Sequence, residues 1–178
     1  MQAFIAEVKT KSPFGYESSR SWDELFELAL HFGDVISIHT DPRWGGSLDI
    51  LEKARNKTHK LIMAKGIHST DEEIEDCFKR GADISLVVGR VPKVHIGKCL
   101  IEPLTIDELI QLPSGVKAVW NARDLDTGLK KKDSFHDALS VWDGWICQAS
   151  MIRGREDVIP EANAFIVGES LAEFCLNT

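Results

Sequence analysis

Eight short apolar segments recur along the chain, and most are followed by an amphipathic stretch or by the remnant of one. Strands that alternate with helices in this way form a parallel sheet, and eight such units favour closure into a (β/α)8 barrel. An open doubly wound sheet is the alternative, but Lys11–Gly15 after the first segment lacks the GxGxxG pattern typical of that fold. The predicted strands are Phe4–Lys9, Val35–Thr40, Lys60–Lys65, Ile84–Val88, Cys99–Glu102, Lys117–Asn121, Trp145–Ala149 and Ala164–Val167.

The helices between these strands are predicted from apolar spacing and capping residues. Ser21 is the expected N-cap of a helix over Trp22–Phe32. Thr70, with Glu73 three residues later, forms a capping box for a helix that ends at Arg80-Gly81. Further helices are predicted at Ser47–Arg55, Thr105–Gln111 and Ser170–Leu176.

A length of 178 residues is short for a fold that runs to about 250 residues. We therefore expect shortened or missing helices after the fourth, sixth and seventh strands, where the sequence is weakly periodic. The prediction is one domain over residues 1–178, a compact α/β TIM barrel with a closed parallel sheet.

The net charge of −7 argues against non-specific binding of nucleic acid, which needs a basic surface. An anionic small molecule remains possible, because a local group of Lys and Arg can dominate one cleft. No apolar run approaches the ~20 residues of a membrane span, and the first residues lack a secretory signal, so a cytoplasmic protein without membrane contact is expected. The four cysteines form no CxxC pair and have no histidine at zinc-ligand spacing, which predicts reduced thiols and no metal site.

Polar residues stand at the carboxyl ends of several predicted strands, where barrels carry their chemistry. Side chains alternate along a strand, so Glu7 and Lys9 share one face of the first strand. Ile146, Gln148 and Ser150 share one face of the seventh. Buried charges are costly unless paired or functional, so such faces directed into a barrel predict a site. The residues expected to converge at one mouth are Glu7, Lys9, Lys65, Glu102 and Asn121.

The last predicted strand is followed by Gly168, and a helix is predicted to begin two residues later. Loops after the seventh and eighth strands of a barrel commonly bind phosphate through backbone N–H groups at a helix start. A plain strand-to-helix turn explains the same pattern. If the segment binds an anion, Glu169 must turn its carboxylate away, and an ordinary φ angle at Met151 would leave its N–H available.

Several segments, in chain order, resemble motifs of the indole-3-glycerol phosphate synthase family, the ring-closing decarboxylases of tryptophan biosynthesis. The resemblance covers nearly the whole chain. The first-strand and sixth-strand motifs are specific, whereas the Gly-Ala-Asp motif is weak. The segments are Ile5–Pro13, Ile36–Asp41 with Trp44–Leu48, Leu61–Lys65, Gly81–Asp83, Leu100–Glu102, Asn121–Leu125 and Phe165–Leu171.

This resemblance implies a cofactor-independent carbon–carbon lyase. Its substrate would be an anthranilate-bearing deoxyribulose phosphate, whose aromatic ring condenses onto the ketone with loss of CO₂ and then of water. Ring attack needs an acid for the developing alkoxide, which the resemblance assigns to Lys65. Lys9 and Glu102 would supply the acid–base pair of the dehydration. Glu7 would orient the two lysines.

The remaining implied roles concern binding. Asn121 and Arg123 would hold polar groups of the intermediate, and Ser12 would contact the substrate carboxylate. Trp44 would cover the aromatic ring, although an indole packed on its own loop explains that residue equally well. The implied phosphate-binding residues are Ser150, Met151, Gly168 and Glu169.

The chain also departs from the family pattern. It starts at the first strand, without the family's N-terminal helical extension. Its seventh strand ends in Ala149-Ser150-Met151 instead of Glu-Ser-Gly, and Lys65 is followed by Gly66 instead of Asp. These differences leave open a phosphosugar-binding barrel that has lost synthase activity, that needs a partner chain or oligomer over its mouth, or that catalyses another reaction on a related phosphosugar.

Overall fold

A computed structural model describes residues 1–177, and its eight strands form a closed parallel barrel in sequence order. Each strand is hydrogen-bonded to its neighbour in sequence, and the last pairs with the first. The predicted (β/α)8 barrel is therefore confirmed. The strands are β1 (Ala3–Val8), β2 (Val35–His39), β3 (Leu61–Lys65), β4 (Ile84–Val88), β5 (Cys99–Glu102), β6 (Lys117–Asn121), β7 (Ile146–Ala149) and β8 (Ala164–Val167).

In the described part of the chain, the outer layer consists of six helices, and all but the one after β6, which the sequence did not predict, begin at or next to the residues the sequence indicated. Ser21 and Glu24 form a capping box at the start of the first helix. Thr70 and Glu73 form another at the start of the third. Each box satisfies backbone N–H groups that a helix start leaves without intrahelical partners. The helices are α1 (Trp22–Phe32), α2 (Leu48–Lys57), α3 (Asp71–Lys79), α4 (Ile106–Ile110), α5 (Phe135–Val141) and α6 (Leu171–Leu176).

The shortening of the outer layer occurs largely where it was expected. Within residues 1–177, a single 3-10 turn stands in place of a helix between β4 and β5, at Ile96–Lys98. Another stands between β7 and β8, at Arg155–Asp157. The helix after β6 is present but has only 7 residues. These short elements account for part of the difference between this chain and the ~250 residues typical of the fold.

Side chains stacked in layers fill the interior of the barrel, as in other closed barrels. These interior residues are almost entirely apolar up to the carboxyl ends of the strands, where the polar residues begin. The buried interior cluster consists of Ile5, Val35, Met63, Leu86, Leu100, Val119, Cys147, Ala149, Ala164 and Ile166.

The prediction that Ile146 and Gln148 point into the barrel from the seventh strand is wrong. Cys147 and Ala149 point into the barrel, whereas Ile146 packs in the outer layer. Gln148 also points outward, where its Nε2 donates a 2.9 Å hydrogen bond to the carbonyl oxygen of Asp157. All four residues of β7 are buried, so burial does not distinguish the two faces, and the one polar side chain, Gln148, finds its hydrogen-bond partner in the outer layer instead of in the barrel mouth.

Among residues 1–177, none of the helices combines the length and the apolarity needed to cross a membrane. All four cysteines are buried. Burial raises the pKa of the Cys77 thiol to about 12 and that of Cys99 to about 11. These two sulfurs therefore stay protonated at neutral pH, which makes them core residues and not nucleophiles.

Candidate active site

The carboxyl ends of the strands surround a cavity of about 480 Å³. Part of its wall is apolar and includes Phe14, Trp44 and Leu125. Polar groups converge on the remainder, which is the usual composition of a small-molecule site. The five residues predicted to meet here all line this cavity: Glu7, Lys9, Lys65, Glu102 and Asn121.

Glu7 lies at the centre of the charged part of the cavity and is buried. Lys65 donates a 2.9 Å hydrogen bond from Nζ to Glu7 Oε1. The Nε2 atom of His39 bonds the same oxygen. Burial opposes ionisation of Glu7, but the nearby Lys65 and His39 outweigh it and hold its pKa well below the usual range. Glu7 is therefore a carboxylate that fixes two potential proton donors.

The same carboxylate explains the glycine after β8. A Cβ atom at Gly168 would collide with Oε2 of Glu7. Only glycine leaves room there for a buried glutamate, so the two residues depend on each other. Gly168 therefore has two roles. It leaves the space that the Glu7 carboxylate occupies, and it belongs to the loop predicted to bind phosphate.

His39 is a site residue that the sequence reasoning missed. It ends β2, and its imidazole is parallel to the indole of Trp44, with an interplanar angle of 3° and 6.0 Å between ring centroids. Burial lowers the pKa of His39, so the ring is neutral at neutral pH. Its Nδ1 is buried without a hydrogen-bond partner in the described part of the chain. Its strand-end position, on the same face as Ser37, was the signal that could have identified it.

A second hydrogen-bonded group joins three strands on the other side of the cavity. Asn121 donates from Nδ2 to Glu102 Oε1 at 2.8 Å. The Ser150 hydroxyl donates to Asn121 Oδ1 at 2.6 Å, and the backbone N–H of Arg123 donates to the same oxygen at 3.0 Å. Burial raises the pKa of Glu102. This carboxyl group therefore keeps its proton to higher pH than usual and can act as an acid.

Lys9 and Arg123 are joined by an acidic residue at the mouth. Glu169 accepts from Lys9 Nζ at 3.0 Å through Oε1 and from the Arg123 guanidinium at 3.1 Å through Oε2. The expected contact between Glu7 and Lys9 is thus replaced by one between Lys9 and Glu169. The carboxylate of Glu169 points into the site, opposite to the orientation that a bound phosphate would require.

A second cavity of about 500 Å³ adjoins the first. Ser150 has φ +67° and Met151 has φ +59°, so both occupy the left-handed region. The condition of an ordinary φ angle at Met151 is therefore not met, and the conformation found there is one that glycine adopts without steric cost. The four residues predicted to bind phosphate all line this cavity: Ser150, Met151, Gly168 and Glu169.

Two other predicted features have local structural explanations. The Ser12 hydroxyl accepts hydrogen bonds from the N–H groups of Phe14 and Tyr16, at 3.2 and 3.3 Å. Ser12 shapes that loop and is not among the residues lining the two cavities. A Cβ at Gly66 would approach Thr40 Oγ1 to 2.5 Å and His68 Nε2 to 2.8 Å, so these two side chains leave little room for a larger residue after Lys65.

Within residues 1–177, no group of three or more His, Cys, Asp or Glu side chains is arranged to hold a metal ion. The side chains that line the cavity can carry out acid–base chemistry. Its proton-carrying groups are Lys65, His39 and Glu102, and its cationic groups at the mouth are Lys9 and Arg123.

Fold and site together define a TIM barrel with a charged ligand cavity at the carboxyl ends of its strands. No family model matches the chain. Indole-3-glycerol phosphate synthase from Sulfurisphaera tokodaii is 33% identical over 91 residues, which are 50% of this chain and 37% of that protein. The enzyme of the same name from Picrophilus torridus is 26% identical over an alignment of 194 positions, covering 94% of this chain and 74% of that protein. The resemblance to this family is confirmed, and the first match spans little more than a third of its relative.

Solved structures with the same fold carry another name. A 3-hexulose-6-phosphate synthase superimposes with a TM-score of 0.67 at 16% identity, over 97% of this chain and all (100%) of that one. The enzyme of that name from Salmonella typhimurium gives a TM-score of 0.71 at 17% identity, over 95% and 90% of the two chains. At these identities the likeness establishes the fold alone.

Proposed function

We propose that this chain is an indole-3-glycerol phosphate synthase-like carbon–carbon lyase of tryptophan biosynthesis that needs no cofactor. The observation that carries the proposal is the convergence of Glu7, Lys65, Glu102 and Asn121 on one cavity with a partly apolar wall. An aromatic phosphosugar needs both surfaces. The substrate would be 1-(2-carboxyphenylamino)-1-deoxyribulose 5-phosphate.

Lys65 is the proposed acid of the ring-closing step. As the aromatic carbon attacks the ketone carbon, the carbonyl electrons move to oxygen, and Lys65 would protonate that alkoxide. Loss of CO₂ then leaves its bonding electrons with the ring. The 2.9 Å hydrogen bond to Glu7 holds the ammonium in one position, which lowers the cost of orienting it at each turnover.

Glu102 and Lys9 are the proposed pair for dehydration. The leaving hydroxyl needs a proton, and the neighbouring carbon must lose one, to form the indole ring. Because burial raises the pKa of Glu102, its carboxyl group suits the role of donor. Asn121 orients it through the 2.8 Å hydrogen bond. Lys9 would act as the second group once an anionic substrate has displaced Glu169.

The remaining substrate groups can be assigned by charge and shape. Trp44 and Phe14 form an apolar wall against which an aromatic ring could pack. Arg123 could bind an anionic group at the mouth. The phosphate would occupy the second cavity, against the backbone of Ser150–Met151 and Gly168–Glu169. Ser12 can assist only through the loop that it shapes.

A second candidate is a phosphosugar-binding barrel that is not a synthase, or that works only with a partner chain over its mouth. Glu169 favours this candidate because its carboxylate is paired with both Lys9 and Arg123, the cations an anionic substrate needs. Ala149 favours it as well, since the family's carboxylate is missing from the end of β7. Formation of product decides between the two.

The test is a fluorescence assay for indoleglycerol phosphate with the purified chain. Lys65→Met should reduce turnover at least ~100-fold, the lower range for removal of a general acid. Its thermal unfolding midpoint should fall because the buried Glu7 loses its cation, so turnover is measured well below that midpoint. Lys79→Met, at an exposed position of α3, is the matched control and should keep parental turnover. Activity of Lys65→Met within about tenfold of the parent would remove Lys65 from the acid role. Absence of product from the parent would favour the second candidate.

A further inference from the structure

His39 is a buried titratable group that none of the proposed reaction steps uses. Its side chain lines the same cavity as Lys65 and Glu7. The register of the sheet places it directly beside Lys65, since the two are paired residues of β2 and β3. Its position is therefore fixed both along the strand and across it.

The contacts of His39 link it to the proposed acid through one atom. Glu7 Oε1 accepts a 2.9 Å hydrogen bond from Lys65 Nζ and also bonds His39 Nε2. Because Glu7 is ionised, the neutral imidazole must carry its proton on Nε2 and donate it to Glu7. Trp44 holds the ring from one side by parallel stacking, which restricts its rotation. Nδ1 is then the atom at which the ring can accept a second proton.

The charges around His39 determine what that second proton does. Glu7 and Asp41 are the anionic groups that act on it, and Lys65 and Lys9 are the cationic ones. When the ring is neutral, Oε1 of Glu7 bonds one cation and one neutral donor. When the ring is charged, the imidazolium and the Lys65 ammonium compete for the same oxygen and repel each other.

We propose that His39 is a positioning residue for the Glu7–Lys65 pair, and that protonation of its imidazole disturbs the pair and limits the site at low pH. The kinetic part rests on the proposed function, whereas the geometric part concerns the unliganded protein. In the neutral state His39 holds the Glu7 carboxylate toward Lys65. In the charged state it draws that carboxylate away.

The geometric part is tested by NMR on the parent, on His39→Gln and on the control His59→Gln, which changes an exposed histidine. In the parent, ring nitrogen shifts should show His39 protonated at Nε2 and bare at Nδ1 at neutral pH. The Lys65 side-chain resonances should change at the same pH at which His39 takes up its proton. That change should vanish in His39→Gln and persist in His59→Gln.

The opposite results would overturn the inference. A bare Nε2 in the parent would mean that His39 does not donate to Glu7, and this readout does not depend on any variant folding. A Lys65 transition that persists in His39→Gln would mean that another group causes it. Neither measurement requires the protein to be a synthase, so the inference can fail while the proposed function stands, and the reverse.

The kinetic part compares pH profiles of kcat/KM for indoleglycerol phosphate formation. The glutamine amide can still donate to Glu7 but cannot become charged, so His39→Gln should keep its plateau within about tenfold and lose the parent's fall at low pH. His39→Leu lacks a donor and should lose more than about tenfold on the plateau. A low-pH fall in His39→Gln that matches the parent's would overturn the proposal. A parent with no product defeats the proposed function and leaves the NMR result to decide the role of His39.

Discussion

Glu102 shows how burial alone changes the chemistry of a carboxyl group. Its side chain is 1% exposed, and Asn121 Nδ2 is the hydrogen-bond donor to its Oε1. Burial penalises the charged form more than Lys65 and Asn121 favour it, so the pKa of Glu102 is raised. Glu7, on the neighbouring side of the cavity, has the opposite balance and a lowered pKa. Two carboxyl groups in one cavity thereby acquire different roles.

This difference predicts that Glu102→Gln removes the proton donor of the dehydration without disturbing the site. The glutamine Oε1 can still accept from Asn121, so binding should be preserved. We expect kcat to fall by about 10²–10⁴-fold, the range for loss of a general acid. Steady-state kinetics measure the loss, and Glu72→Gln at an exposed position of α3 is the control. A loss below about tenfold would exclude Glu102 from the chemistry.

Residue by residue, alternation along strands was enough to predict the centre of the site. Glu7, Lys65 and Glu102 lie where a two-residue period at a strand end places them. Ser150 reaches the cavity for a different reason, because its left-handed φ angle turns it inward after β7. No sequence period contains that information. The pairing of Lys9 with Glu169 is also a tertiary contact between residues 160 positions apart.

At the level of elements, strand positions and helix starts were predictable because their signals are local. Capping boxes act within four residues, so Ser21 and Thr70 mark helix starts from sequence alone. Which face of β7 points inward was not predictable, since both faces are buried and the polar Gln148 lies on the face that packs in the outer layer. The register against β6 and β8 decides it, and register is a property of the closed sheet.

The turn after β7 stores strain that a glycine would release. Met151 has φ +59°, a conformation that costs a non-glycine residue about 1–2 kcal/mol. Met151→Gly should therefore stabilise the protein by up to about 1 kcal/mol after the entropy cost of glycine, measured by urea unfolding. Met151→Ala removes the same side chain and keeps the strain, so it is the matched control. Equal stabilisation by alanine would show that the φ angle is not the cause.

The same turn faces the second cavity, so the variant also bears on phosphate binding. Inorganic phosphate should shift the amide resonances of Gly168 and Glu169 in the parent before those of other helix starts. Met151→Gly should bind phosphate more tightly than Met151→Ala, because glycine can adjust its N–H toward the anion. Unmoved amides at both positions in all three proteins would count against a phosphate site here.

At the scale of the whole molecule, the barrel combines an apolar interior with a charged cluster at one end. The pKa of Glu7 is held below its unfolded value near 4.5, so Glu7 contributes stability that is present above that pH and lost as the pH falls below it. The pKa of His39 is lowered from 6.5, so its contribution is likewise lost as the pH falls below that value. Both groups predict an acid-sensitive fold.

Glu102 affects the free energy of unfolding in the opposite direction, because its pKa is raised in the folded state. One variant isolates this effect. Its folded pKa is above the unfolded value of 4.5, so the folded state binds the proton more tightly, and the parent loses stability as the pH rises through that interval. Glu102→Gln is neutral at every pH and escapes this loss. The free energy of unfolding of Glu102→Gln minus that of the parent should therefore be larger at pH 8 than at pH 4, measured by urea unfolding at each pH. A difference that grows as the pH falls would mean that Glu102 is stabilised as a carboxylate, and the proton donor of the proposed dehydration would have to be sought elsewhere.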